Sequence, residues 1–231
     1  EGSPIEESVD TTSTRIVSLL ADPRTPNFSR RGLVLGYVQS GKTTNFTAVA
    51  AKAADVGYKL IIVLTGTAEN LRIQTQERLD SDLTLNNDER VAPYSSRLTT
   101  PGELIERPDG STRRKVGDFP TAPTATPEQA LASPNLASYA VVKKNVTRLR
   151  NLHRFLSANS DLVARTPILL IDDEADQASI NTTRPKKDAA EAKERTAINR
   201  LIAQLLDELK RAQYVGYTAT PFANVFVDPE D

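Results

Sequence analysis

The chain has 231 residues, 39% hydrophobic and 26% charged, which fits a globular domain large enough to bury a real core. Its 29 basic and 30 acidic side chains nearly cancel, so no global positive field gathers nucleic acid, and any such contact must come from a local groove or from parts outside this chain. Aromatics at 5% and the lack of Trp argue against a stacking platform for single strands, and without Cys there is no disulfide, thiolate metal site or Cys nucleophile.

In chain order, Glu1 to Glu7 is acidic and reads as a frayed or truncated start. Val9 to Leu20 has helical periodicity, with Ile16, Leu19 and Leu20 on one face and Asp22-Pro23 ending it. Pro26 to Arg31 leads into an apolar strand, Leu33-Val34-Leu35. Then comes Gly36-Tyr37-Val38-Gln39-Ser40-Gly41-Lys42-Thr43, spaced G-x-x-x-x-G-K-T, and a small-residue helix from Thr44 to Ala54 that Gly57 stops. A strand, a glycine-bounded loop and a helix make up the arrangement that phosphate binding needs. Backbone N–H groups of the loop and first helical turn cradle phosphates where the helix dipole favours negative charge. Lys42 adds a point charge, the Thr43 hydroxyl is a ligand for Mg²⁺, and Gly36 and Gly41 let the backbone approach an anion. The nucleotide-binding residues expected here are Gly36, Gln39, Ser40, Gly41, Lys42, Thr43 and Thr44, with ATP and Mg²⁺ as cofactors. Asn27 to Arg31 are placed to meet the base by position alone.

Tyr58 to Leu64 is a near-continuous apolar run, the pattern of a strand covered on both faces in a parallel sheet. It ends at Thr65-Gly66-Thr67, and Glu69 to Leu79 reads as a helix carrying Asn70, Arg72, Gln74, Gln76 and Arg78. That helix either lies at the functional edge of the sheet or presents a solvated face. Seven prolines then punctuate a Thr-rich stretch from about Asp82 to Ser138, read as an insertion of short strands or turns, or a flap. Tyr139 to Val142 is the next strand, followed by Lys143-Lys144-Asn145 and a helix through Leu149, Leu152, Phe155 and Leu156. His153, the one histidine, reads as a surface or packing residue.

Pro167 to Ile171 is another buried-strand run and delivers Asp172-Asp173-Glu174-Ala175-Asp176. Hydrolysis of a phosphoanhydride needs a held metal and an oriented water. Asp173 is assigned to Mg²⁺, directly or through water, Glu174 to polarising the attacking water, and Asp172 to supporting them. Asp176 is placed to couple this site to the threonines of the last strand. Asn181 to Ala190 reads as a loop. Thr196 to Leu209 is the clearest helix, with Ile198, Leu201, Ile202, Leu205, Leu206 and Leu209 in an apolar stripe that belongs to the core. Tyr214 to Tyr217 is the last strand, capped by Thr218-Ala219-Thr220-Pro221. Alternating strands and helices predict an α/β fold in three layers, with a mostly parallel central sheet. No apolar run approaches the roughly 20 residues of a membrane span and nothing resembles a signal peptide, so the expected location is cytoplasmic.

Gly36–Thr43, the Asp173-Glu174-Ala175-Asp176 box and Thr218-Ala219-Thr220 resemble, in order, motifs I, II and III of superfamily-two helicases. A narrower resemblance lies in Gly36–Thr43, Ile171–Asp176 and Tyr214–Asn224, which look like the bacterial Z-one domain family. These are helicase-like proteins of restriction and phage-defence loci, often labelled putative endonucleases. The resemblance implies a RecA-like P-loop NTPase domain, an ATPase catalysed by Lys42, Asp173 and Glu174, with Thr43 and Asp173 on the metal. It implies coupling through Asp176, Thr218 and Thr220, and contacts to the backbone of DNA, expected to be duplex, from Thr65, Asn70, Arg72 and Gln76. It divides the chain into an N-terminal extension, 1–26, and a first RecA-like domain, 27–231, with the Pro/Thr-rich insertion at about 82–138. It further implies a second RecA-like domain bearing an arginine finger, which this chain does not contain, and a separate nuclease subunit. Without that finger, worth about 10³–10⁵ in rate, the chain alone is expected to bind Mg-ATP but turn it over feebly. One departure is Gly66-Thr67 after Thr65, where a helicase typically carries Pro-Thr-Arg.

Two rival readings accompany this one. An endonuclease in its own right would use Asp172 or Asp173 with Glu191-Ala192-Lys193, but that triplet sits in a helix-favouring segment. An ATP-dependent assembly scaffold without net hydrolysis is the other.

Overall fold

The computed structural model describes residues 3–36, 41–84, 95–97, 104–106, 112–114, 119, 127–131, 137–176 and 189–219. In order the elements are α1 (Pro4–Leu19), β1 (Phe28–Leu35), α2 (Lys42–Val56), β2 (Leu60–Thr65), α3 (Glu69–Leu79) with a π-helical turn Asp80–Thr84, β3 (Ser95–Arg97), β4 (Leu104–Glu106), β5 (Thr112–Arg114), α4 (Pro127–Ala130), β6 (Ala137–Lys143), α5 (Val146–Ser157), α6 (Ser160–Arg165), β7 (Ile168–Asp173), α7 (Ala189–Glu208) and β8 (Arg211–Thr218). Among the described residues, six strands form one sheet in the order β1-β8-β7-β2-β6-β3, with every neighbouring pair parallel. β4 and β5 make a separate antiparallel pair.

The sheet is parallel because its inner strands are apolar on both faces. Leu60, Ile62 and Leu64 of β2 join Ile168 and Leu170 of β7 in a core closed by α5 and α7. Ile61 and Val63, with Leu169 and Ile171, face the other way into a core closed by α1, α2 and α3. Period-two alternation thus serves two helical layers at once, and the α/β three-layer expectation holds. Each fully buried Leu or Ile adds about 1.5–3 kcal/mol relative to exposure, so the central strands dominate the fold's stability. Among the described residues, no helix is long and apolar enough to cross a membrane.

Several boundaries differ from expectation. The acidic start is not frayed from Pro4 onward: the Ser3 hydroxyl accepts from the Glu6 N–H and the Ser3 N–H donates to the Glu6 carboxylate, a capping box that starts α1. Residues before 27 also pack into the domain. The Tyr58 hydroxyl donates to the Ala21 carbonyl at 2.7 Å, the Ala21 N–H donates to Gln213 Oε1 at 3.0 Å, and the Lys52 ammonium reaches Asp10 from α2. β1 begins at Phe28, so Arg30 and Arg31 lie within a strand that ends the sheet order and pairs only with β8 among the described residues. Of the Pro-rich insertion, β3 joins the main sheet beside β6, so this stretch is not solely a flap; the rest of 85–136 lies largely outside the described residues. α7 begins at Ala189, inside the expected loop of 181–190, and residues 181–188 are outside the described set.

Candidate functional site

Three strand ends lie side by side at one edge of the sheet. The register pairs Leu35 at the end of β1 with Thr218 of β8, and Asp173 at the end of β7 with Tyr217 of β8. Parallel sheets place ligands at these carboxyl ends, and here each end carries one of the motifs read from the sequence. Cross-links hold the ends in step. The Gly36 N–H donates to the Thr218 carbonyl at 3.0 Å, and the Ala175 N–H donates to the Tyr217 carbonyl at 2.9 Å. Thr218 Oγ1 donates to Asp176 Oδ1 at 2.9 Å. The close approach of β8 to the acidic turn requires Gly216, where an added Cβ would stand 3.0 Å from Ala175 Cβ.

α2 starts at Lys42 from Gly41, which takes a left-handed φ of +70° with open space where a Cβ would be. The Asn45 N–H is the one that reaches back to the Gly41 carbonyl, so the N–H groups of Lys42, Thr43 and Thr44 precede the intrahelical ladder. Among the described residues no side chain caps this end, and its first turn contains no acid. Its dipole and free donors are therefore available to an anion. α1 steadies the helix, with Asn45 Nδ2 donating to Thr12 Oγ1 at 2.8 Å, and the Tyr217 hydroxyl donates to Asn45 Oδ1 at 3.1 Å. Gly36 is described at the end of β1; Gln39 and Ser40 lie outside the described residues, as does Thr220.

Thr43 shares a cavity of about 290 Å³ with Asp173 and Glu174. Gly66 and the α3 residues Leu71, Gln74, Thr75 and Arg78 form its other wall. Glu174 has a φ of +57°, which costs a non-glycine residue about 1–2 kcal/mol. Its Oε2 is buried without a hydrogen-bond partner among the described residues. Burial pushes the Glu174 carboxyl up from the ordinary range, helped by the charge of Asp173 and opposed by Lys144 and Lys42. Burial likewise raises Asp173, opposed by Lys42 and Lys144. Lys42 is therefore close enough to act on both acids. A groove of about 400 Å³ between α1 and β1 is larger, but its lining is mostly apolar and, among the described residues, contains no carboxylate.

A hydroxyl and a carboxylate on one cavity wall suit Mg²⁺, which keeps waters and takes phosphate oxygens. Among the described residues, no set of three His, Asp or Glu side chains forms an all-protein metal cage. With an uncapped helix end, an open left-handed glycine and an unpartnered Glu174 oxygen, the residues present fit a nucleotide phosphate with its metal.

Asp172 is fully buried and is spent on structure. Its Oδ1 accepts from Lys144 Nζ at 2.7 Å and its Oδ2 from the Tyr214 hydroxyl at 2.8 Å. Lys144 and Tyr214 were missed in the sequence, because a doubled lysine after a strand reads as solvated. The four residues expected to touch DNA separate. Asn70 is exposed, whereas Thr65, Arg72 and Gln76 are buried. Arg72 Nε donates to Glu69 Oε1 at 2.9 Å and Gln76 Nε2 to Asp80 Oδ1 at 2.9 Å. Glu191, Ala192 and Lys193 lie within α7 and not on a strand beside the acids. His153 sits on α5, its Nε2 2.7 Å from Glu208 Oε2.

No protein-family model matches the chain. No curated protein matches it either. Among solved structures, a chain of the "Structure of E. coli MS115-1 HORMA:CdnC:Trip13 complex" aligns at 13% identity and a TM-score of 0.29, covering 98% of this chain and 59% of that one. This chain thus spans under two thirds of that chain's length, and a likeness so weak supports no conclusion about fold or function.

Proposed function

We propose that this chain is the ATP-binding and hydrolysing domain of a helicase-like protein acting on DNA, a RecA-like motor or switch of the Z-one type that serves a restriction or phage-defence system. The observation that carries the reading is the single cavity shared by Thr43, from the helix after the phosphate loop, and Asp173 and Glu174, from the end of β7. In this reading Lys42 and the first N–H groups of α2 hold the terminal phosphates, and Thr43 and Asp173 hold Mg²⁺. Held there, the metal would neutralise charge on the phosphate oxygens. Glu174, its carboxyl raised by burial, accepts the proton of the attacking water at its unpartnered oxygen. Asp176 and Thr218 carry the state of the site to β8. A second RecA-like domain and a nuclease subunit complete the system in this proposal.

The test is steady-state ATP hydrolysis by the full-length protein, with and without duplex DNA, beside Lys42→Ala and Glu174→Gln. Several-fold stimulation by DNA, lost in both variants, is the expected result. Absence of hydrolysis with any nucleic acid, despite Lys42-dependent Mg-ATP binding, would replace the motor with an assembly switch.

A further inference from the structure

We propose that Lys144 is a positioning residue that holds the backbone of the Asp173–Glu174 turn so that the Glu174 side chain points into the cavity opposite Thr43. The inference rests on the ATPase reading for its kinetic consequence, but its structural basis stands apart from it. An ammonium has three N–H donors. Lys144 Nζ is fully buried and spends them on Asp172 Oδ1 at 2.7 Å, the Asp173 carbonyl at 2.8 Å and the Glu174 carbonyl at 2.7 Å. Two of the three acceptors are thus the main chain of the acid pair itself.

Glu174 needs such a hold. A glutamate at φ +57° persists only where its surroundings over-determine it. The turn is fixed from one side by the Ala175 N–H on the Tyr217 carbonyl. Lys144 fixes it from the other side, by way of the carbonyl of the strained residue. Lys144 is in turn anchored. Its N–H donates to the Thr65 carbonyl at 3.2 Å, and the next residue, Asn145, caps α5 by accepting from the N–H groups of Thr147 and Arg148. The connection from β6 to α5 is therefore a rigid mount for one ammonium. All three donors of the buried ammonium are thereby satisfied, and two of them hold the main chain of the turn.

The experiment compares wild type, Lys42→Ala and the double variant Lys144→Met/Asp172→Asn in the full-length protein. The double variant removes both buried charges together, so it keeps its fold where Lys144→Met alone strands a carboxylate. Turnover is read as kcat and KM for Mg-ATP, and hydrogen exchange is followed at the Ala175 amide without nucleotide. The expected result is a 30- to 100-fold loss of kcat with KM within threefold, and at least tenfold faster exchange at Ala175. A kcat within threefold of wild type, while Lys42→Ala is inactive, overturns the positioning role and leaves the ATPase reading intact. Turnover indifferent to Lys42→Ala sinks the ATPase reading instead, and the exchange measurement then decides alone: faster exchange upholds Lys144 as the holder of the turn, and unchanged exchange overturns it.

Discussion

Thr218 Oγ1 donates a 2.9 Å hydrogen bond to Asp176 Oδ1, joining the end of β8 to the turn that carries the acid pair. Neither of these two side chains lines the cavity that Asp173 and Glu174 share with Thr43. A change in the acidic turn therefore has a direct route to β8 and to whatever follows it. Thr218→Val and Asp176→Ala each break the link and leave Lys42, Thr43 and Asp173 in place. Mg-ATP affinity is expected to stay within about twofold, since no phosphate contact is lost, while stimulation of hydrolysis by DNA falls at least fivefold. Binding of a fluorescent ATP analogue, beside DNA-dependent turnover, separates the two. Full stimulation in both variants would remove the coupling role.

The same junction sets a steric requirement. An added Cβ at Gly216 meets Ala175 Cβ at 3.0 Å and the Leu33 and Tyr214 side chains at 3.3 Å. The Cβ of Ala175 cannot swing away as a long side chain would. Gly216→Ala is expected to cost about 1–3 kcal/mol through overpacking, or a melting point lower by roughly 2–4 °C per kcal/mol for a chain of this size. Thermal denaturation checks it; an unchanged melting point would mean the acidic turn yields freely.

Burial raises the carboxyls of both Asp173 and Glu174 above their unfolded values. A raised acid binds its proton more tightly folded than unfolded, so its contribution favours folding below the unfolded pKa and is lost as pH climbs through the folded one. Without nucleotide and metal, the acid pair therefore weakens the protein at neutral pH. Asp173→Asn is expected to melt above wild type at pH 7, with the gap closing as pH falls below the ordinary carboxylate range near 4. Added Mg²⁺ should raise the melting point of wild type more than that of the variant. A variant less stable at pH 7 would show that Asp173 has favourable partners that offset its burial.

Residues that pack on both faces were the most legible. Leu60 to Leu64 and Ile168 to Ile171 announced parallel strands because short, isoleucine-rich apolar runs suit a strand covered on both faces. Gly57 announced the end of α2 and takes a φ of +116°. Edge and cap positions were harder. Arg30 and Arg31 hid the start of β1, since a strand with one neighbour can carry exposed charges, and the Ser3–Glu6 capping box hid within an acidic run. That Thr43, Asp173 and Glu174 line one cavity accords with their places just after a strand-loop-helix stretch and at the end of an apolar strand. Lys144 was not legible, because sequence does not say that three acceptors converge on its ammonium.

Arg72 shows the same limit on α3, and it supplies the last prediction. The helicase resemblance implied a contact from this residue to the DNA backbone, yet its side chain is 2% exposed and paired with Glu69, which Lys143 Nζ also approaches at 3.0 Å. A buried arginine contributes packing through its stem as well as charge. Arg72→Ala is therefore expected to cost about 1–3 kcal/mol in stability. A phosphate contact, by contrast, shows itself in the salt dependence of binding: each one lost reduces the slope of log affinity against log salt by about one unit. The slope for DNA should be unchanged in Arg72→Ala once the protein is folded. On the exposed face of the same helix, Arg78 lines the cavity with Thr43 and meets Asp82 at 3.4 Å, with nearly half of each side chain exposed. That surface pair is worth little to stability, so Arg78→Ala should melt within about a degree of wild type. Denaturation and salt titration of duplex binding, run on both variants, test the division. A normal melting point with a shallower salt slope in Arg72→Ala would mean that the arginine leaves Glu69 to meet the nucleic acid.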